Sequence, residues 1–114
     1  MNILVVDENR VRRLQIVDAL QKKRHTVEHC AASNDFLSAL DKSKPERVVV
    51  DVPTWKKGKA IYAYFQVGKK LEKVPVLFYN SYEGFTLEGQ RAPHEKDRIL
   101  MDHVKVEDIA MALD

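Results

Sequence analysis

The sequence is short of the residue types that mark a disulfide scaffold, a secreted protein or a membrane protein. It contains one cysteine, Cys30, which excludes an internal disulfide and a cysteine-based metal cluster and fits a reducing compartment. No stretch approaches the length that spans a membrane, and the residues after Met1 lack the basic region and long apolar run of a signal peptide. These absences predict a cytoplasmic protein without a membrane partner.

An excess of charge of either sign is also lacking. The chain has 19 basic and 17 acidic side chains and a net charge of +2, which is too small to argue for nucleic-acid binding. We therefore interpret the cations around the first predicted helix as its solvated flanks: Arg10, Arg12, Arg13, Lys22, Lys23 and Arg24. What the chain does have is enough apolar residues, 45% of 114, for the core of one domain spanning residues 1–114.

The most informative stretch is Arg47–Asp51, in which three consecutive valines lie between a cation and a carboxylate. Continuous β-branched runs of this kind are typical of parallel strands that are buried on both faces. Asp51 would then lie at the carboxyl end of a central strand, where open α/β sheets place their ligands. Pro53 and Gly58 predict a loop directly after this strand.

The other predicted elements alternate regularly along the chain. Strands are predicted at Ile3–Val6, His25–Cys30, Val74–Tyr79 and Arg98–Met101, and helices at Arg10–Lys23, from Ser33 or Asn34 to Lys44, at Lys57–Glu72 and at Lys105–Leu113. The first helix is predicted to bury the stripe Val11, Leu14, Val17 and Leu20. In Tyr82–Asp97 we expect at most a short helix, at Thr86–Arg91. Repeated β-α units predict an α/β, flavodoxin-like (βα)5 fold: a doubly wound parallel sheet in the order 2-1-3-4-5 with a weak fourth helix.

Acidic side chains follow two strands that are neighbours in such a sheet. Asp7 and Glu8 follow the first strand and Asp51 ends the third, so the three carboxylates are expected to converge. Oxygen ligands of this kind suit a hard divalent cation, above all Mg²⁺, which would also offset the repulsion among the carboxylates. A carboxylate beside Mg²⁺ can accept a phosphoryl group.

With these elements in order, the whole chain resembles the receiver domain of bacterial two-component response regulators, of the chemotaxis-regulator type. The resemblance is carried by Ile3–Glu8, Ala32–Leu40, Pro45–Asp51 and Val74–Tyr79. It implies that Asp51 is the phosphoacceptor, that Asp7 and Glu8 hold Mg²⁺, and that the backbone carbonyl of Pro53 completes the metal ligands. It also implies two protein partners: a histidine kinase or phosphotransfer protein, and a downstream partner that reads the signal.

The chain departs from the family pattern at the residues that would contact the phosphoryl group. Asn80, with Ser81 beside it, stands where a hydroxyl is expected, and its amide can still donate a hydrogen bond to a phosphoryl group. Asp102 and His103 stand where the family has Lys-Pro, and Ile99 replaces the aromatic switch residue. Asp102 would repel a phosphorylated Asp51. The chain therefore resembles an atypical, degenerate receiver that lacks the family's Lys.

Two function hypotheses remain open from the sequence. The first is a receiver in which Asp51 is phosphorylated and the changed surface is read by a partner. The second is a pseudo-receiver, a protein–protein interaction module that works without phosphorylation. An enzyme such as a small phosphatase or nucleotide binder ranks far behind, because no glycine-rich phosphate loop follows the first strand. Whether the chain is a stand-alone protein or a fragment of a longer regulator also stays open.

Overall fold

A parallel five-stranded sheet forms the centre of the protein. In this computed structural model the structure describes residues 1–31, 33–58, 71–88, 90–91 and 93–113, the side chains of Ser33 and Asn34 excepted. The strands are β1 (Asn2–Val6), β2 (Thr26–Cys30), β3 (Arg47–Asp51), β4 (Val76–Ser81) and β5 (Arg98–Met101). Their order is β2-β1-β3-β4-β5, and every neighbouring pair is parallel. The predicted flavodoxin-like sheet is confirmed.

Four helices are described: α1 (Arg10–Lys22), α2 (Ser33–Ser43), α3 (Val52–Lys57) and α4 (Val106–Ala112). Because strand side chains alternate between the two faces, β1 and β3 supply apolar residues to two separate clusters. Residues of α2 and α3 complete one cluster, and residues of α1 and α4 complete the other. Both faces of the sheet are therefore covered, which explains the unbroken valine run of β3. None of the described helices is long and apolar enough to cross a membrane.

The buried stripe predicted for α1 is only half right. Asn9 caps the helix as its position suggests, with its side chain accepting from the N–H of Arg12. Val17 and Leu20 are buried, but Val11 is 67% exposed and Leu14 is 41% exposed. A three-residue spacing falls about 60° short of a full helical turn at each step. Residues spaced by three therefore drift around the helix and cannot all face the core. Ile16 takes the place of Leu14, one turn before Leu20.

The loop predicted after β3 is wrong, because α3 begins at Val52 and Asp51 is its N-cap. The Asp51 side chain accepts the N–H of Thr54, and Pro53 occupies the first turn, where a missing N–H is harmless. Gly58 ends this helix. The predicted helix Lys57–Glu72 falls largely on residues 59–70, which lie outside the described residues.

Trp55 lies in α3 rather than in a loop, and it joins the core. Its side chain is 1% exposed, its ring meets Phe78 edge to face at a centroid distance of 5.2 Å, and its Nε1 donates to Gln90 Oε1 at 3.1 Å. This contact with Gln90 helps to hold the 82–97 segment, in which no described residue is helical.

The start of β4 also differs from the prediction. The strand begins at Val76 rather than Val74, so Pro75 precedes it. The N–H of Val76 donates to the carboxylate of Asp97 at 2.7 Å, and Arg91 donates to the carbonyl of Val74 at 2.8 Å. A buried Arg91–Asp97 pair thus fixes the entry into the strand.

Candidate functional site

Two buried aspartates meet at the carboxyl edge of the sheet, as the sequence predicts. Asp7 directly follows β1 and Asp51 ends β3, and these two strands are hydrogen-bonded neighbours. The side chains are 0% and 1% exposed. Two carboxylates so enclosed need a cation or several donors, because an unpaired buried charge is costly.

The cation is the guanidinium of Arg12. Because α1 begins immediately after Asn9, Arg12 lies in its first turn and its side chain reaches the end of β1. Its Nε and Nη2 both donate to the Asp7 carboxylate, the second at 2.8 Å, and the same Nη2 lies 3.2 Å from Asp51 Oδ1. Hydrogen bonding to Asp7, with the charges of Asp7 and Asp51, raises the pKa of Arg12 above its ordinary value. One fixed positive charge therefore bridges the two aspartates.

Neutral donors take the remaining acceptor positions of Asp7. The N–H of Asn9 donates to Oδ1 at 2.9 Å, and the hydroxyl of Tyr79 donates to Oδ2 at 2.5 Å. Burial, and then the charge of Asp7, raises the pKa of the Tyr79 hydroxyl, so the phenol stays a donor at neutral pH. With the two bonds from Arg12, all of the roughly four lone-pair positions of this carboxylate are used.

Asp51 is also held by neutral donors and by Arg12. Oδ2 accepts both the N–H of Thr54, at 3.1 Å, and the Thr54 hydroxyl, at 2.7 Å. Oδ1 accepts the Asn80 amide at 2.9 Å and lies beside Arg12 Nη2. Asn80 adopts a left-handed backbone conformation, φ 56°, at the irregular end of β4. Asn80 thus donates to the aspartate itself, where the sequence suggested a phosphoryl contact.

The residues predicted to hold Mg²⁺ do not form a metal site in this structure. The carboxylate of Glu8 pairs through both oxygens with Lys57 Nζ at 2.8 Å and is not bonded to Arg12 or to the donors around the aspartates. Pro53 lies in the first turn of α3, and helical carbonyls point along the helix towards its C-terminus. Among the described residues no group of three or more acidic, His or Cys side chains could hold a metal ion. The guanidinium of Arg12 fills the place between Asp7 and Asp51.

The other predicted site residues contribute less. Ser81 is buried, and its Oγ has no hydrogen-bond partner in the described part of the chain, so it does not bond to Asp51. Its backbone carbonyl instead accepts the N–H of Asp102 at 3.0 Å. The Asp102 carboxylate is half exposed and lies 3.4 Å from His103 Nδ1. Ile99 packs against the apolar cluster of α2 and α3.

Three residues of this site were missed from the sequence: Arg12, Thr54 and Tyr79. A signal for Arg12 existed. Buried strand-end carboxylates without the family's Lys need another cation, and Arg12 lies in the first turn of the helix that begins just after Asp7. Thr54 is the third residue after Asp51, and the backbone N–H at this position usually donates to the side chain of the N-cap residue. No sequence signal pointed to Tyr79, because it lies in β4 and reaches Asp7, which follows β1, across the intervening strand β3.

No protein-family model matches the chain, and no curated protein matches it. Solved structures do. A response regulator from Burkholderia pseudomallei with a phosphorylated aspartic acid, calcium ion and citrate gives a TM-score of 0.76 at 22% identity, covering 99% of this chain and 66% of that one. Chemotaxis response regulator CheY4 of Vibrio cholerae gives 0.71 at 17%, covering 98% and 94%. The pseudo-receiver domain of the CikA protein gives 0.65 at 16%, covering 98% and 92%.

The chain therefore has the fold of response-regulator receiver domains, which are signalling modules of two-component systems. These identities establish the fold alone. The structural neighbours include both a phosphorylated response regulator and a pseudo-receiver, so the function has to be argued from the site of this chain.

Proposed function

We propose that this chain is a pseudo-receiver: a receiver-fold module that acts through protein contacts without phosphorylation of Asp51. One observation carries the proposal. Asp7 accepts four hydrogen bonds and Asp51 accepts three, all from Arg12 and neutral donors, and Arg12 also forms an ion pair with Asp51. In this proposal Asp51 holds the sheet edge, α1 and α3 together and is not a phosphoacceptor.

The chemistry of phosphoryl transfer supports this assignment. An attacking aspartate needs a free lone pair on an accessible oxygen, whereas Asp51 is 1% exposed. Its Oδ2 accepts two hydrogen bonds from Thr54, and its Oδ1 accepts the Asn80 amide and lies 3.2 Å from Arg12 Nη2. Asp7, Asp51 and Arg12 together carry a net charge of −1, and a phosphoryl group would add about one to two further negative charges. Neither the family's Lys nor a free carboxylate for a metal is available among the described residues to offset them.

An apolar groove on the described surface is consistent with a role in protein contacts. It lies between α1 and α4, has a volume of about 980 Å³, and has Val11 and Met111 on its walls. These two side chains are 67% and 66% exposed. Exposed apolar residues that adjoin one groove are a recurring feature of protein interaction sites.

The proposal predicts that the purified chain is not phosphorylated on Asp51. We expect no phosphoryl mass increment after incubation with acetyl phosphate and Mg²⁺, measured by intact-protein mass spectrometry. Beryllium fluoride with Mg²⁺ is expected to leave the fluorescence of Trp55 unchanged, because no free carboxylate oxygen can bind it. A phosphorylatable receiver domain treated in parallel is the positive control.

The competing function is a working phosphoacceptor, which the convergence of Asp7 and Asp51 favours. It would be established by a phosphoryl increment that is present in the wild type and absent in Asp51→Asn. That outcome would overturn the pseudo-receiver proposal. The identity of a histidine kinase or downstream partner and the cytoplasmic location stay predictions from the sequence.

A further inference from the structure

A charged cleft lies at the end of the sheet opposite Asp7 and Asp51, where β3, β4 and β5 begin. Its volume is about 340 Å³. Its lining includes four residues that carry or can carry positive charge: Arg47, Lys73, His94 and Lys96. Arg47 opens β3, Lys73 precedes β4, and Lys96 precedes β5. The parallel register therefore gathers cations from three separate parts of the chain.

The positive charge of this cleft is only partly offset. Among the described residues, the charged groups of Arg47, Lys73 and Lys96 have no salt-bridge or hydrogen-bond partner. Glu46 is the one acidic residue in the described lining, and its Oε1 accepts the N–H of Asn2 at 2.9 Å. One carboxylate thus faces three fixed cations and a histidine, and this excess of positive charge creates a potential that favours an anion.

The backbone that carries these cations is held in place. The N–H of Val48 donates to the carbonyl of Pro75 at 3.1 Å, which joins the starts of β3 and β4. The carboxylate of Asp97 accepts the N–H groups of Val76 and His94, and His94 Nδ1 accepts the N–H of Lys96 at 3.0 Å. The segment before β5 is thereby fixed against β4, so the backbone positions of the cleft residues are held together.

We propose that this cleft binds a small, multiply charged phosphate anion. Its volume lies at the lower end of the range for small-ligand pockets. Lysine ammonium groups bind phosphate as point charges, and an arginine adds a fork of donors. No Phe, Tyr or Trp is among the described lining residues, so the phosphate groups rather than a base would be recognised. The proposal is independent of the pseudo-receiver function, since Asp7 and Asp51 lie at the other edge of the sheet.

The test is isothermal titration of the full chain with inorganic pyrophosphate at constant ionic strength. We expect saturable one-site binding, weakened at least about tenfold by Lys73→Gln or Lys96→Gln, since each substitution removes one charge-assisted contact. Both lysines are exposed, so the variants should fold, which the Trp55 emission spectrum checks. Arg10→Gln removes the same charge from an exposed position at the start of α1 and is expected to bind like the wild type.

Parallel titrations with inorganic triphosphate and with a nucleoside triphosphate test whether the cleft recognises the phosphate groups alone or the nucleoside as well. A nucleoside triphosphate that binds no tighter than inorganic triphosphate supports recognition of the phosphate chain alone. The proposal is overturned if pyrophosphate shows no saturable binding at millimolar concentration, if Arg10→Gln weakens binding as much as the cleft variants do, or if sulfate competes equally well.

Discussion

Replacement of Arg12 by alanine is expected to lower the free energy of unfolding by about 2–3 kcal/mol, somewhat below the 3–5 kcal/mol of a fully buried ion pair. The reduction reflects the one-third exposure of the Arg12 side chain, which is 34% accessible while both aspartates are buried. The variant would leave two enclosed carboxylates together without a cation. Urea unfolding followed by Trp55 fluorescence measures the change, because this side chain is in the core.

Two further variants separate the bridge from a general effect of charge. Arg10→Ala removes an exposed cation from the same helical turn and is expected to stay within about 0.5 kcal/mol of the wild type. Asp7→Asn combined with Arg12→Ala should be at least as stable as Arg12→Ala alone, because it removes one of the two facing charges. An Arg12→Ala protein as stable as Arg10→Ala would contradict the bridging role.

The second large effect is expected at Asp97, whose replacement by alanine should cost about 3–5 kcal/mol as the rupture of a buried ion pair. The side chains of Arg91 and Asp97 are 2% and 0% exposed. Asp97→Ala would remove the buried carboxylate that faces Arg91 and the acceptor of the N–H groups of Val76 and His94. Burial already lowers the pKa of Arg91, an effect that the charge of Asp97 opposes.

Hydrogen exchange should locate this loss as well as measure it. In Asp97→Ala the amides of Val76 and His94 are expected to exchange faster, since each would lose its acceptor. Glu95→Ala changes an exposed carboxylate two residues away and is the matched control, with an expected effect within about 0.5 kcal/mol. Unchanged protection at both amides in Asp97→Ala would show that another contact holds the 82–97 segment.

The fold could be predicted because the signals in the sequence are local and repeated. The valine run of β3 and the apolar run of β1 each require cover on both faces, and the helices between them supply it. The meeting of Asp7 and Asp51 follows from the same pattern, because it needs only that two neighbouring parallel strands end in acid. The order of strands and helices was therefore enough to predict that Asp7 and Asp51 meet, but not which residues contact them.

The sequence analysis did not predict what lies between the two aspartates, because that depends on a long side chain and on competing turn signals. Arg12 was grouped with solvated cations, since a helical pattern does not say where a flexible side chain ends. Pro53 indicated a loop, but proline is also favoured in the first turn of a helix, and Asp51 supplied the cap that decided between them. The same carboxylate that suggested a phosphoacceptor is thus used to begin α3.

The central claim is that Arg12 takes the place of a divalent cation, and Mg²⁺ titration of the ¹⁵N-labelled wild type and Arg12→Ala tests it most directly. The wild type is predicted to show no saturable shift at the amides of Asp7–Asn9 or Asp51–Thr54 at millimolar Mg²⁺. Arg12→Ala is predicted to gain such shifts, because its carboxylates regain free lone pairs. Saturable Mg²⁺ binding by the wild type that Asp51→Asn abolishes would contradict the account.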